Sequence, residues 1–477
     1  MGFRITTNMM MSTYRYNLMN STNRLADSVE KVQTKRNFNS YAEDPAAATQ
    51  AFRLRRDWYR TQNQIANNKD VYSKFNTAHN NVQGMLDNLI NPMEKISIIR
   101  GTNGAAGESR QALAQVLREC AESMIQGFNQ QLGDHFIFAG NDGLNAPFEW
   151  RGEELYYRGI NVNAGGVEKP LAEEPDWLTD VKKSAEAAGT WSADAQAWYD
   201  YYTRASDEKP ATAEPTWLND YATLDGAVTQ EEQGWIKYYR RETDKIPTAD
   251  EPTTWGAKDK YGVPENMPSY SSDPTEQGWI EYYKDQGDLA KLKAMSEEEM
   301  YIDLGMGAEE NGANNPVRGT YFNSALSALN YTDFGVDEDG DPKNFAILMR
   351  QMADVFDTWD EDADPQGFNP ELAKNSAKGL TSNELEQKAF RLMDKLKAAQ
   401  ETLTADHVEL NARSTFLQTN QERLELQASE LNGEIMDIEQ VNLADAITNL
   451  SWDQMCYNAA LKIGTQLLSQ SLIDYMN

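Results

Sequence analysis

The chain has 477 residues, 40% of them hydrophobic and 10% aromatic, and a formal net charge of -31. That length exceeds what one hydrophobic core ordinarily organises, so two or more soluble domains are expected. The charge excludes nucleic acid as a partner, because one polyanion repels another.

No stretch approaches the eighteen or so consecutive apolar residues of a membrane span, and the opening MGFRITTNMMM lacks the apolar core of a secretory signal. On these features alone the chain reads as cytoplasmic. Residues 1–60 carry ten Lys or Arg against five Asp or Glu, so the N-terminal end expects surroundings different from those of the acidic middle. Cys120 and Cys456 are the only cysteines, too few for a disulfide framework or a zinc site. His79, His135 and His407 are scattered, and none stands at metal-ligand spacing from another His or a Cys. Two free thiols, no metal and no cofactor are expected.

Along the chain, Met11, Leu18, Leu25 and Val32 form one heptad row, the mark of a helix with a narrow seam. YAEDP at 41–45 reads as an extended turn that starts a new helix near Ala46. In that helix Val71, Phe75, Ala78, Val82, Met85, Leu89 and Ile96 follow 4-3 spacing. Pro92 interrupts it, and an interior proline costs about 3 kcal/mol, so a kink or a fresh start is expected there. Glycines at 101–107 mark a loop, and a helix should follow over 109–132. HFIFAG at 135–140 reads as a turn into a strand, and FEW at 148–150 with LYYR at 155–158 as a β-hairpin around RGEE.

From about Pro170 the sequence repeats itself. KPLAEEPDWL at 169, KPATAEPTWL at 209 and IPTADEPTTW at 246 alternate with AQAWYDYY at 195, EQGWIKYY at 232 and EQGWIEYY at 276, a period of about forty residues. Each unit is expected to be a small helical hairpin. Trp198, Trp235 and Trp279 are either a candidate aromatic surface for stacking on sugars or the only core such short units possess. MYIDLG at 300–305 reads as a strand and residues 344–359 as an amphipathic helix. DEDGD at 337–341 fails the calcium-loop template, with its glycine at position four and Leu348 at position twelve; an exposed acidic turn is expected.

The clearest period is C-terminal: Leu396, Leu403, Leu410, Leu417, Leu424, Leu431 and Ile438 recur every seven residues. The second seam row is poor (His407, Ser414, Gln421, Ala428, Ile435), so the helix needs partners from elsewhere. Near the end, Trp452, Met455, Ala459, Ile463 and Leu467 make a face of 3-4 spacing that would be sticky if left bare.

Residues 5–54, ITTNMMM through AFRLR, resemble the N-terminal segment of the flagellin superfamily, including the turn at Asp44 and Pro45 and the following Arg53. SRQALAQVLRECAESMIQGFNQQLGDHFIFAGND at 109–142 is similar to that family's next helix, and its FIFAG ending to the hook-associated branch. NARSTFLQTNQERLELQASEL, then MDIEQ through SLIDYM, resemble the family's C-terminal helices. The resemblance covers roughly residues 1–165 and 296–477; the three-unit array departs from it.

What it implies is a mainly α protein whose long terminal coiled-coil helices form a rod, carrying an inserted strand-containing (α+β) middle domain and the repeat array. The boundaries expected are an N-terminal assembly helix at 1–40, the first half of the helical rod at 41–140 and a strand-containing outer domain at 141–165 and 296–345. The array follows at 166–295, the second half of the rod at 346–438 and a C-terminal assembly helix at 439–477. The resemblance further implies an extracellular structural protein of the bacterial flagellum, exported unfolded through the flagellar channel without a cleaved signal peptide. Its partners would be further copies in a ring or helical lattice, other hook-associated proteins, flagellin, and an export chaperone on the C-terminal helix, with no nucleic acid and no membrane. The seams at 5–32 and 396–475 would be completed by neighbouring subunits, whose burial at about 25 cal/mol per Å² drives assembly.

Competing readings are a filament flagellin, a cytoplasmic coiled-coil scaffold, and a glycan-binding or hydrolytic middle. No Ser-His-Asp grouping, GxSxG or P-loop supports an enzyme.

Overall fold

The computed structural model describes residues 7–101, 110–217, 230–307, 310, 317, 319–360, 362 and 367–476. Its helices are α1 (Thr7–Thr34), α2 (Pro45–Gly101), α3 (Arg110–Phe128), α4 (Trp177–Ala187), α5 (Ala193–Tyr202), α6 (Gln230–Tyr239), α7 (Pro274–Ser296), α8 (Phe345–Phe356), α9 (Ser382–Glu439) and α10 (Leu443–Met476). Its strands are β1 (Gln131–Leu132), β2 (His135–Phe136), β3 (Phe148–Arg151), β4 (Glu154–Tyr157), β5 (Ile160–Asn161), β6 (Tyr301–Ile302), β7 (Phe322–Asn323), β8 (Trp359–Asp360) and β9 (Gly367–Phe368), all paired antiparallel in small sheets. The protein is mainly helical, as expected. By internal contacts the chain divides into a first unit of residues 1–75, 301–323 and 412–477 and a second of 76–300 and 324–411. The loop expected at 101–107 lies, beyond Gly101, outside the described residues.

In the first unit α2 begins where the sequence places it. Asp44 Oδ1 accepts the backbone N–H groups of Ala46 and Ala47 at 3.1 and 3.0 Å, and Pro45 sits at the first helical position, where its missing N–H costs nothing. The strand expected at 300–305 is only β6, paired with β7.

In the second unit the 4-3 row is the core: Ala78, Val82, Met85, Leu89 and Ile96 are all buried. Of the kink or fresh start expected at Pro92, the fresh start does not occur, and α2 runs through it. Proline leaves the carbonyl of residue i-4 without its helical donor; here that carbonyl, of Asn88, accepts the Cys120 thiol at 3.7 Å. Both Cys120 and Cys456 are free, as expected. His79 and His407 stack with ring centres 4.3 Å apart and planes 11° from parallel. Parallel rings send their in-plane lone pairs side by side, so the two do not converge on one ion.

The helix expected over 109–132 is α3, which ends at Phe128 because Gln131 and Leu132 leave it to pair with Phe136 and His135. The next residues, Ile137, Phe138 and Ala139, are buried, with Phe138 edge-on to Phe128. The hairpin appears as β3 and β4, extended by β5. The amphipathic helix is α8, buried along nearly its whole length and started by Asn344, whose side chain accepts from Ala346 and Ile347.

Each W-x-x-Y-Y phrase lies on a helix: α5, α6 and α7. A helical hairpin forms in the first unit of the repeat, from α4 and α5. In the third, EPTTW makes only a 3-10 turn at Thr253–Trp255, because Gly256 follows directly and takes the left-handed φ of 80° that ends it. The second falls partly on residues 218–229, outside those described. The candidate aromatic surface is corrected: Trp198, Trp235 and Trp279 are 3%, 4% and 3% exposed. Trp198 and Trp235 share one core with Leu178, Tyr202, Ile236 and Tyr239, and Trp279 builds another with Trp255, Ile280 and Tyr283. Leucine and isoleucine are few in units this short, so the large rings supply most of the core and are drawn inward.

The last tyrosine of the first two phrases donates to the glutamate of an E-P phrase, Tyr202 to Glu214 at 2.8 Å and Tyr239 to Glu174 at 3.0 Å. Burial pushes both phenols above their ordinary pKa, with the glutamates adding to it. Arg204 and Arg241 then exchange roles. Arg204 donates to the Tyr238 and Thr243 carbonyls and covers the Tyr238 ring. Arg241 does the same to Tyr201 and Ser206 and covers the Tyr201 ring. The third phrase has Asp285 at that position, and it accepts from the Gly165 and Val167 amides at 2.8 and 2.9 Å. The first two phrases therefore form a reciprocal pair, and the third is tied to the loop after β5.

The acidic turn expected at 337–341 is exposed at Glu338, Asp339 and Gly340, but its end is not, since Asp341 is 3% exposed. The Lys395 ammonium sits among Asp337, Asp339 and Asp341 at 2.6, 2.8 and 2.7 Å, and Arg391 adds a second cation at 2.6 Å from Asp341. The three carboxylates are close enough to share a cation, and a lysine already fills that place. Burial pushes the Asp341 carboxyl up, but hydrogen bonds from Arg391 and Lys395 hold it below its ordinary value; Asp337 is lowered likewise, by Lys395.

Two outcomes test this packing. In α6 a Cβ added to Gly234 would lie 2.7 Å from Pro247 Cβ. Gly234→Ala should therefore destabilise by about 1–3 kcal/mol through overpacking, whereas an unconstrained helical glycine gains about 1 kcal/mol from the same change; urea unfolding gives the sign. For the acidic turn, carboxyls lowered in the folded state stabilise above the unfolded pKa of about 4 and lose that contribution as pH falls. Lys395→Met should cost about 1–3 kcal/mol at pH 7 and flatten the loss of melting temperature between about pH 4 and 2.

Candidate assembly interface

The first unit is held by side chains that meet between α2, α9 and the turn after β6. Asn68, fully buried, donates to the Leu417 carbonyl and to Gln421 Oε1, both at 2.9 Å. Asn420 donates to Asn68 Oδ1 at 2.9 Å and to the Leu304 carbonyl at 3.0 Å. Arg423 bridges Asn420 Oδ1 and the Gly305 carbonyl at 2.8 and 2.9 Å. Gln64 donates to Asp303 at 3.0 Å. Burial pushes the Asp303 carboxyl up, but the Gly305 amide, Gln64 and Arg60 hold it below its ordinary value.

Further along the same helix pair, Arg55 and Glu439 form an ion pair, and the chain crosses at Arg36 and Gln440, which bridge antiparallel. The Asn37 amide donates to the Glu439 carbonyl at 2.8 Å, and the Asn37 side chain to those of Ile438 and Gln440 at 2.9 and 3.0 Å. From this crossing α1 and α10 run antiparallel: Ser28 donates to Asp453 at 2.5 Å and Tyr14 lies against Gly464.

The seam residues expected from the sequence fall into three groups. Leu417 and Leu424 in the first unit, and Leu403 and Leu410 in the second, are buried within the chain. The expectation that neighbouring subunits complete this part of the seam is corrected, because the weak second row is itself covered: Ser414, Ala428 and Ile435 are buried and Gln421 accepts from Asn68. Met11, Leu18, Leu25, Val32, Leu431 and Ile438 are half-buried. Trp452, Met455 and Ile463 stand outside the α1–α10 pair at 63%, 65% and 53% exposure, and Ala459 is exposed with them. The side chain of Leu467 is outside those described. An apolar face of this kind marks an interaction surface.

Sequence reasoning missed Asn68, Asn420 and Asp303. The signal was present in part, since Thr61, Gln64 and Asn68 continue the spacing of Val71 and Phe75 upstream; polar residues at seam positions mark a register lock.

Residues 5–140, which run from the start of α1 to the glycine that closes HFIFAG, match the bacterial flagellin N-terminal helical region. No curated protein matches the chain. The match covers 136 of the 477 residues, so the likeness is one of the N-terminal part of the chain. Among the described residues no helix is long and apolar enough to cross a membrane.

Leu424→Ala should cost about 2–5 kcal/mol, and Asn420→Ala about 1–3 kcal/mol through the Leu304 carbonyl and Asn68 oxygen left without a donor. The exposed neighbour Gln418→Ala should stay within about 0.5 kcal/mol. Equal losses for Leu424→Ala and Gln418→Ala in chemical unfolding would dismiss the seam.

Proposed function

We propose that this chain is the hook-filament junction protein of a bacterial flagellum, similar to flagellar hook-associated protein 3, joining hook to filament by helical self-assembly outside the cell. The observation that carries the reading is the uncovered apolar face of α10 on a chain whose first three helices match the flagellin N-terminal region. A face with Trp452 and Met455 more than half exposed is stable in water only if copies or other partners cover it, and burial supplies the driving force for joining them. The same face is where an export chaperone would shield the chain before assembly. Hook-associated proteins and flagellin are the neighbours above and below. HFIFAG at 135–140 and SLIDYM at 471–476 favour the hook-associated branch over a filament flagellin.

The first two aromatic phrases decorate this structure. Within the second unit they are bracketed by one antiparallel bridge, Leu171 with Thr248, where the Ala172 amide donates to the Pro247 carbonyl at 2.9 Å and the Ala249 amide to the Pro170 carbonyl at 2.8 Å. This bridge can be closed without them.

Deleting the chromosomal gene should leave hooks without attached filaments; loss of the filament subunit itself would instead identify a flagellin. Trp452→Ala should change monomer stability by no more than about 0.5 kcal/mol yet weaken association by about 2 kcal/mol or more, measured by sedimentation. Replacing residues 173–246 by an Asn-Gly turn between Ala172 and Pro247 should preserve export and motility. Exported protein that leaves hooks bare would show that the aromatic phrases belong to the junction.

A further inference from the structure

Two stripes on the outside of the first unit are opposite in charge and alike in their apolar content. On α2, Phe52, Arg53, Arg56, Tyr59 and Arg60 stand at i, i+1, i+4, i+7 and i+8, one face of the helix. Phe52 and Tyr59 are 70% and 63% exposed, and the Arg56 and Arg60 side chains 68% and 61%. Arg56 pairs only locally with Asp57, and Arg60 reaches Asp303 at 3.5 Å. Exposed aromatics beside arginines are the composition of an interface centre.

On α9, Glu422, Leu426, Glu430, Gly433 and Asp437 stand at i, i+4, i+8, i+11 and i+15, all exposed, on the side opposite Leu417 and Leu424. Leu426 is 68% exposed. Gly433 has open space where a side chain would project. An interior glycine weakens a helix relative to alanine, and among the described residues nothing comes within 4 Å of the place a side chain would take. A bare backbone in an exposed stripe is the form taken by a site of close approach.

We propose that the α2 stripe of one copy docks on the α9 stripe of a second copy, with the Phe52 or Tyr59 ring over Gly433 and the arginines among the α9 carboxylates. The proposal rests on the self-assembly reading and specifies the surfaces it uses. A symmetric contact through either stripe would set arginine against arginine or glutamate against glutamate. The contact therefore joins unlike stripes, and where it runs head-to-tail it propagates into a ring or an open helix instead of stopping at a dimer. Its charge component is exposed and weakens with added salt.

The test uses two variants of the full chain, Arg53→Glu with Arg56→Glu, and Glu430→Lys with Asp437→Lys. None of these residues belongs to the α2–α9 lock. In low salt each variant alone should associate at least about tenfold more weakly than the wild type by sedimentation. An equimolar mixture should recover association as an alternating copolymer, because every α2–α9 contact in it again joins opposite charges. Gly433→Leu should raise the melting temperature of the monomer while weakening association to the same degree. A charge variant that associates like the wild type, a mixture no stronger than its components, or a Gly433→Leu chain that assembles normally would overturn the proposal and leave self-assembly standing. A wild-type chain that stays monomeric at every concentration and salt would remove both readings together.

Discussion

The buried contact between Asn68 and Asn420 constrains everything else in the first unit. Each amide is shut off from water and finds its partners at one alignment of α2 on α9 only. Sliding either helix by one residue would strand donors and acceptors in a low-dielectric interior, a cost of several kcal/mol against a net gain of about one for each bond made. Leucines at 417 and 424 supply adhesion but would tolerate slippage; the asparagines do not.

With the register set there, the far end of the helix pair follows. Arg55 meets Glu439, and the chain crosses at Arg36 and Gln440. That crossing decides how α1 enters its pairing with α10, and hence which face of α10 is turned inward onto Tyr14 and Ser28 and which is left bare. The exposure of Trp452 and Met455, on which the proposed function depends, is thus tied to a polar contact several helical turns away.

The second unit solves a different problem, that of keeping a strongly acidic chain folded. It places cations inside its acidic turns. Lys395 occupies the space between three aspartates where a divalent ion would fit, and Arg391 adds a second cation beside Asp341. Among the aromatic phrases Arg204 and Arg241 bind each other's backbone and stack on each other's tyrosines. Asp285 in the third phrase reverses the charge and turns the same position into an anchor for the loop at Gly165.

Periodicity in the amino-acid sequence was enough to determine the helices, because burying one face of a helix forces apolar residues to recur at its own pitch. The leucines from 396 to 424, the row from Val71 to Ile96, the turn at Asp44, the amphipathic helix after Asn344 and the hairpin at 148–158 were all legible on local grounds. What local grounds do not contain is who lies opposite. Pro92 leaves the helix unbroken because Cys120, distant in sequence, takes the orphaned carbonyl. Trp198 and Trp235 are core because two phrases fold against each other, and Asp341 is inside because Lys395 and Arg391 reach it. Asn68 and Asn420 became a lock only when two helices 352 residues apart were brought side by side. Such pairings depend on distances between segments, which spacing along one segment does not encode, so the tertiary structure alone decided them.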